Sequence, residues 1–246
     1  MEWTDDGVIL SRRRLGEADA VVALFTRDHG RHLGLVRGGA GRRHAAALQL
    51  GTVVAARWRA RLEDQLGWFA CEPLEATAMA FLDDAGRLEA MTAALELLDA
   101  TLPERQPHPE LHAATRAFLG ALGDAPAPAA LLARWEVGVL AALGFGLDLT
   151  RCAATGAADD LAYVSPRSGR AVSRAGAGTL ADRLLGLPAF LLDPRSPAEA
   201  ADIAAALALT GHFVARHLLA PAGRSMPPAR LRVVDRLARA ARLRGP

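Results

Sequence analysis

Arginine is the residue type whose spacing in this chain suggests chemistry. Arg37-Gly38-Gly39-Ala40-Gly41-Arg42-Arg43-His44 puts three guanidiniums on a glycine-rich loop, and Arg57, Arg59 and Arg61 recur at every second position after Val53-Val54-Ala55-Ala56. In an extended strand that alternation sets the three on one face and Trp58 on the other. Their roots then lie roughly 6.6 Å apart, comparable with the phosphate spacing of an extended single strand. All 29 basic residues are arginine and none is lysine. The glycine loop is therefore not a P-loop, which needs lysine to reach the β- and γ-phosphates, and Schiff-base or lysine general-base chemistry is excluded. A GC-rich genome accounts for the Ala, Gly and Arg bias. Whatever its origin, every cation is a permanently charged fork suited to phosphate or carboxylate.

Short strands must position these arginines. Gly7–Ser11, Ala20–Phe25 and Leu33–Val36 are apolar, β-branched-rich runs separated by Leu15-Gly16-Glu17 and Asp28-His29-Gly30, which are turn chemistry. Val53–Arg61 and Leu66–Cys71 supply two more. Five short strands are the size of an OB-fold barrel, whose groove commonly binds single-stranded nucleic acid. Such barrels also serve as plain structural modules, with arginine-rich edges for solubility. The expected class is α+β: a five-stranded OB-fold barrel over residues 1–75, then a mainly helical domain over 76–246 with a small β-like insert at 150–175.

Charge is segregated along the chain. Residues 1–61 hold 11 Arg against 6 acids, and residues 224–246 hold 7 Arg against Asp235 alone, whereas 62–223 hold 11 Arg against 20 acids. Basic ends and an acidic centre suit a polyanion on one surface and a protein partner on another. The acidic start Met1–Asp6 lacks signal-peptide character. Arg134 and Glu136 interrupt one apolar run, and Asp202 and His212 another, so no membrane span is expected. Cys71 and Cys152 are too few for a disulfide framework, and a cytoplasmic, nucleoid-associated location fits.

Helical periodicity follows Pro73, at Phe81–Leu102, His112–Leu122, Ala129–Leu143, Thr179–Leu187, Ser196–Leu219 and Ala229–Arg244, the last with Arg232, Arg236 and Arg239 on one face. Between them, Leu161–Val164 and Ala171–Ser173 flank the turn Ser165–Gly169 as a small β insert. Apparent motifs fail. Gly176-Ala177-Gly178-Thr179-Leu180-Ala181 fits a relaxed dinucleotide fingerprint but lacks a surrounding strand–helix–strand unit. His108 and His112 are four apart without a third ligand. No nucleophile elbow is present. No enzyme activity and no cofactor are expected.

Read together, the segments Gly7–Leu10, Leu15–Asp19, Leu24–Gly30, the Arg37–Arg43 loop, Arg134-Trp135-Glu136, Leu143–Leu149, Cys152–Gly156, Tyr163–Gly169 and Arg224–Arg230 resemble, in order and spacing, the RecO family of bacterial DNA-repair and recombination mediators. The resemblance implies an N-terminal OB-fold, a helical domain and an insert that is a four-cysteine zinc module in some members. Cys152 keeps its place in Cys-x-x-Cys-Gly, but Thr155 replaces its partner and a second cysteine pair is missing, so the module is degenerate and no zinc is expected. It further implies binding to single- and double-stranded DNA and annealing of complementary strands without ATP. RecR, the tail of single-stranded DNA-binding protein and, indirectly, RecA are the implied partners. Phosphate contacts are then assigned to Arg37, Arg42, Arg43, Arg57, Arg59 and Arg61, with Arg224 and Arg230 from the basic end. Trp58 or Trp68 is a candidate to stack a base, against a core role for both. Arg134, with Trp135 and Leu140, is the candidate rim and pocket for the acidic tail. The alternative is an interaction adaptor with only weak DNA binding of its own.

Overall fold

Strands β1 (Glu2–Leu15), β2 (Asp19–Thr26), β3 (Gly30–Val36), β4 (Thr52–Arg59) and β5 (Trp68–Ala76) close into a barrel in the order β1-β2-β3-β5-β4. A computed structural model describes residues 1–41, 44, 47–76, 80, 81 and 83–243. Neighbouring strands pair antiparallel except β3 and β5, which run parallel at Leu35 and Trp68. That closure is the OB-fold expected from the strand spacing. Alternation decides which side chains fill it: Val54, Ala56 and Trp58 of β4 join Ile9, Val22, Leu24, Val36, Leu48 and Phe69 in the core, while Arg57 and Arg59 face outward.

Two local readings change. β1 starts at Glu2 rather than Gly7, because Glu2–Val8 pair residue for residue with Arg59–Val53; its polar first half hid it from a search for apolar runs. β4 ends at Arg59, so Arg61 lies in the following loop and not on the strand face.

Helices α1 (Ala85–Thr101) and α2 (Pro109–Ala121) complete the first of two compact units, which runs to Asp124. Asp84 caps α1 by accepting the Arg87 N–H at 3.0 Å. The α1 face Met91, Leu95 and Leu98 is buried, and α1 packs on β1. Arg31 of β3, also buried, binds Asp99 at 2.7 Å and Glu104 at 3.2 Å, tying the barrel to the end of α1.

In the second unit α3 (Pro128–Ala142) packs on α4 (Ala200–Phe213), and α4 on α5 (Pro228–Leu243). Strands β6 (Leu161–Val164), β7 (Ala171–Ser173) and β8 (Leu185–Gly186) form a small sheet in the order β7-β6-β8. The expected helix at Thr179–Leu187 is instead a 3-10 turn, Gly178–Arg183, followed by β8. The run Ala200–Ala222 is long and apolar enough to cross a membrane, contrary to the weight given to Asp202 and His212. Its apolarity is explained by packing, since Ile203, Leu207, Leu209 and Phe213 are buried in this unit.

Candidate nucleic-acid interface

The barrel presents one exposed tryptophan. Trp68 opens β5 directly after Gly67, whose φ of +64° and whose contact with Trp58 leave no room for a side chain: an added Cβ would meet the Trp58 Nε1 at 2.4 Å. Trp58 is fixed inside by its indole N–H, which donates to the Leu66 carbonyl at 3.0 Å. The two tryptophans thus divide, with Trp58 a core residue and Trp68 41% exposed. The Arg37 guanidinium lies 4.2 Å from the centre of the Trp68 ring, within cation–π range.

Two depressions meet at Trp68 and Arg59. One, of about 570 Å³, is lined by Arg37, His44, Phe69 and Cys71 as well; the other, of about 640 Å³, adds Glu2, Arg61 and Gln65. Arg59 lies opposite Trp68 in the β4–β5 register. The loop before this surface is held by Asp19, which accepts the Gly38 N–H at 2.9 Å, and by the His44 ring against the Gly38 carbonyl at 3.1 Å. Arg42 and Arg43 lie outside the described residues.

Not every arginine is equally available. Glu2 on β1 pairs with both Arg57 and Arg59, and the hydrogen bond from Arg57 holds its carboxyl below the usual range. The three residues together carry one net positive charge. Both guanidiniums remain more than half exposed, so an incoming phosphate can compete with Glu2. Arg61 is exposed at the border of the second depression.

In the second unit the expectations divide further. Arg224 is exposed. Arg230 is not a phosphate ligand: only 4% of its side chain is exposed, and it donates to Glu136 Oε1 at 2.7 Å, Glu136 Oε2 at 3.0 Å and the Leu207 carbonyl at 2.7 Å. Glu136, fully buried, also accepts from the Thr210 hydroxyl at 2.5 Å. An acid on the apolar face of α3 demands a cation, and that was the signal available in the sequence. Arg134 donates from Nε to the Phe190 carbonyl at 3.0 Å and from Nη2 to the Pro194 carbonyl at 2.9 Å, stapling that segment to α3. Trp135 and Leu140 are buried in the core and offer no pocket wall to a tail peptide. Burial thus removes Trp135 and Leu140 from the expected pocket, whereas Arg134 is half-buried and Gly138, Ala141 and Ala142 of α3 are exposed.

The insert does not fit zinc. Cys152 is buried, and its sulfur accepts from the Ser173 hydroxyl and the Thr155 N–H, each at 3.4 Å. The Ser173 hydrogen bond, then that of Thr155, pulls its thiol down to about 6. At Gly176 a Cβ would stand 2.7 Å from the sulfur. One thiol, two hydroxyl residues and a glycine are not a four-ligand N/S set. Among the described residues no group of three or more His, Cys, Asp or Glu could hold a metal ion.

A closed five-stranded barrel in this strand order defines the OB-fold class. Comparison with known proteins narrows it. The family descriptions "Recombination protein O N terminal" and "Recombination protein O C terminal" match residues 1–76 and 82–226. The chain is 49% identical over 245 residues to DNA repair protein RecO of Rhodospirillum rubrum, covering 97% of each chain. It is 51% identical over 239 residues to that of Cereibacter sphaeroides, covering 97% of this chain and 99% of the relative. With Rhodospirillum centenum the identity is 51% over 242 residues, covering 98% and 96%. The chain belongs to the RecO family.

Proposed function

We propose that this chain acts in DNA repair and recombination as a non-enzymatic mediator in the cytoplasm, associated with the nucleoid. It binds single-stranded DNA on the barrel, residues 1–75, and anneals complementary strands without ATP. With RecR it assists loading of RecA onto strands covered by single-stranded DNA-binding protein. The observation that carries the reading is the Arg37–Trp68 pair at the meeting of two arginine-lined depressions. Trp68 supplies a sequence-tolerant stacking platform, worth about 1–3 kcal/mol per base. Arg37, Arg59 and Arg61, with Arg57 once Glu2 is displaced, neutralise the adjoining phosphates. Duplex binding uses the same cations without the stack. Phosphate contacts carry no base information, so affinity should be uniform across sequences.

The test is binding to a fluorescent single strand as a function of salt, for the parent protein and Trp68→Ala. With about five phosphates contacted, affinity should fall about a hundredfold between 50 and 200 mM salt. Trp68→Ala should weaken binding about 5- to 100-fold with the salt slope retained, because stacking releases no counterions. A flat salt response, or an unchanged Trp68→Ala, rejects the groove.

A further inference from the structure

Glu2 is an acid set among the cations of the barrel groove. It lines the depression that also holds Arg59, Arg61, Gly67 and Trp68. Its two carboxylate oxygens are divided: Oε1 accepts from Arg57 Nε, and Oε2 accepts from Arg59 Nε and Nη2, each at 3.2 Å. In the β1–β4 register Glu2 lies opposite Arg59, whereas the residue opposite Arg57 is Thr4. The carboxylate therefore reaches a diagonal neighbour as well as its direct one.

Stability does not explain this placement. Pairing from Glu2 to Val8 already fixes β1 on β4, and beside Glu2 the Trp3 ring stacks on the buried Trp58 with centres 5.8 Å apart. The side chains of Arg57 and Arg59 are 58% and 67% exposed and that of Glu2 36%, and ion pairs at such exposure add little. Their effect on a polyanion site is larger, because one of two positive charges is cancelled before any ligand arrives. A carboxylate and a phosphodiester are also alike to a guanidinium. Each carries one negative charge shared by two oxygens on a single atom, and each accepts its forked donors. A phosphate that displaces Glu2 finds the same donors, and Glu2, tethered to β1, stays beside them.

We propose that Glu2 is a resident surrogate for one backbone phosphate and sets how readily the barrel releases a strand. The inference rests on the reading of the barrel as a single-strand site and deepens it. Departure of a phosphate leaves neither guanidinium bare, because the Glu2 carboxylate re-forms both pairs as the phosphate goes. Release is thereby an exchange of one anion for another. A strand to be annealed has to leave the protein, and a groove that holds it less tightly than its arginines allow serves that step.

The experiment uses the full chain and a fluorescent single-stranded oligonucleotide. Equilibrium binding is followed as a function of salt, and release by stopped flow on adding excess unlabelled strand. The variants are Glu2→Gln, which keeps the side chain's size and removes its charge, and Glu63→Gln, which changes net charge equally at an exposed acid on the loop after β4. Loss of two exposed ion pairs should make Glu2→Gln bind about 2- to 30-fold tighter, with most of the change in a slower release. Its salt slope should steepen by about 0.7, the share of one further net cation. Its melting temperature should stay close to the parent's. Glu63→Gln should have the smaller effect on affinity, slope and release, because charges that are not in contact are screened by salt. A Glu2→Gln protein that binds and releases like the parent, or no differently from Glu63→Gln, overturns the surrogate and leaves the barrel site standing. So does one that melts well below the parent with unchanged affinity, which would make Glu2 a structural residue. A parent protein that binds no oligonucleotide overturns the barrel reading as well.

Discussion

Replacing Arg230 by alanine separates a structural arginine from a DNA-binding one. The substitution removes four donated hydrogen bonds, two to the Glu136 carboxylate, one to the Leu207 carbonyl and one to the Thr210 hydroxyl. Glu136 would then stay buried with the Thr210 hydroxyl as its remaining donor. Breaking a buried pair from one side costs about 3–5 kcal/mol, because the partner's desolvation is no longer offset. For a protein of this size each kcal/mol shifts the melting temperature by about 2–4 °C, so the loss should be about 6–20 °C. The double variant Glu136→Leu/Arg230→Met removes both charges and should recover most of the stability, since apolar replacement of a whole buried pair is often close to neutral. Scanning calorimetry and urea unfolding of the parent, the single and the double variant read this directly. The double variant should also bind single-stranded DNA with unchanged affinity, as Arg230 faces no solvent. A single variant that loses less than about 1 kcal/mol, or a double variant no more stable than the single, would refute the buried-pair argument.

Three further outcomes are expected. Burial lowers the His32 pKa from 6.5 to about 4, so the unfolded chain binds the extra proton first; stability present above about pH 6.5 should fall, by on the order of 3 kcal/mol, as pH drops toward 4. His32→Gln should flatten that slope in pH-dependent urea unfolding, and an unchanged slope would exclude His32 as its source. Gly67→Ala should lower stability by more than the about 1–2 kcal/mol of a left-handed residue, because the added methyl also meets Trp58; a loss below that range would contradict the close approach. Elemental analysis should find no stoichiometric zinc. Ser173→Ala should raise the Cys152 pKa, followed by thiolate ultraviolet absorbance, because it removes the hydroxyl that contributes most to lowering it; a fixed titration midpoint would show that another group does this.

Much of the barrel was legible in the sequence because strand alternation is local. The outward Arg57 and Arg59, the inward Trp58 and the turns between β1, β2 and β3 follow from residues a few positions apart. Loss of the zinc ligands at Thr155 was likewise a matter of residue type. Tertiary structure decided everything that depended on distant partners. Trp68 faces solvent beside Arg37 because barrel closure sets β5 against β3 and β4. Glu2 reaches Arg57 and Arg59 across 55 and 57 positions. Arg230 finds Glu136 94 positions away, and composition alone placed it among the basic residues of an exposed tail. Arg134, Trp135 and Leu140 were equally ambiguous, since a helix of Ala and Leu with apolar residues on every side does not show which face its neighbours will cover. Local pattern specifies which side of a strand a residue occupies. Whether a charge ends in solvent or in a pair is set by which elements pack together.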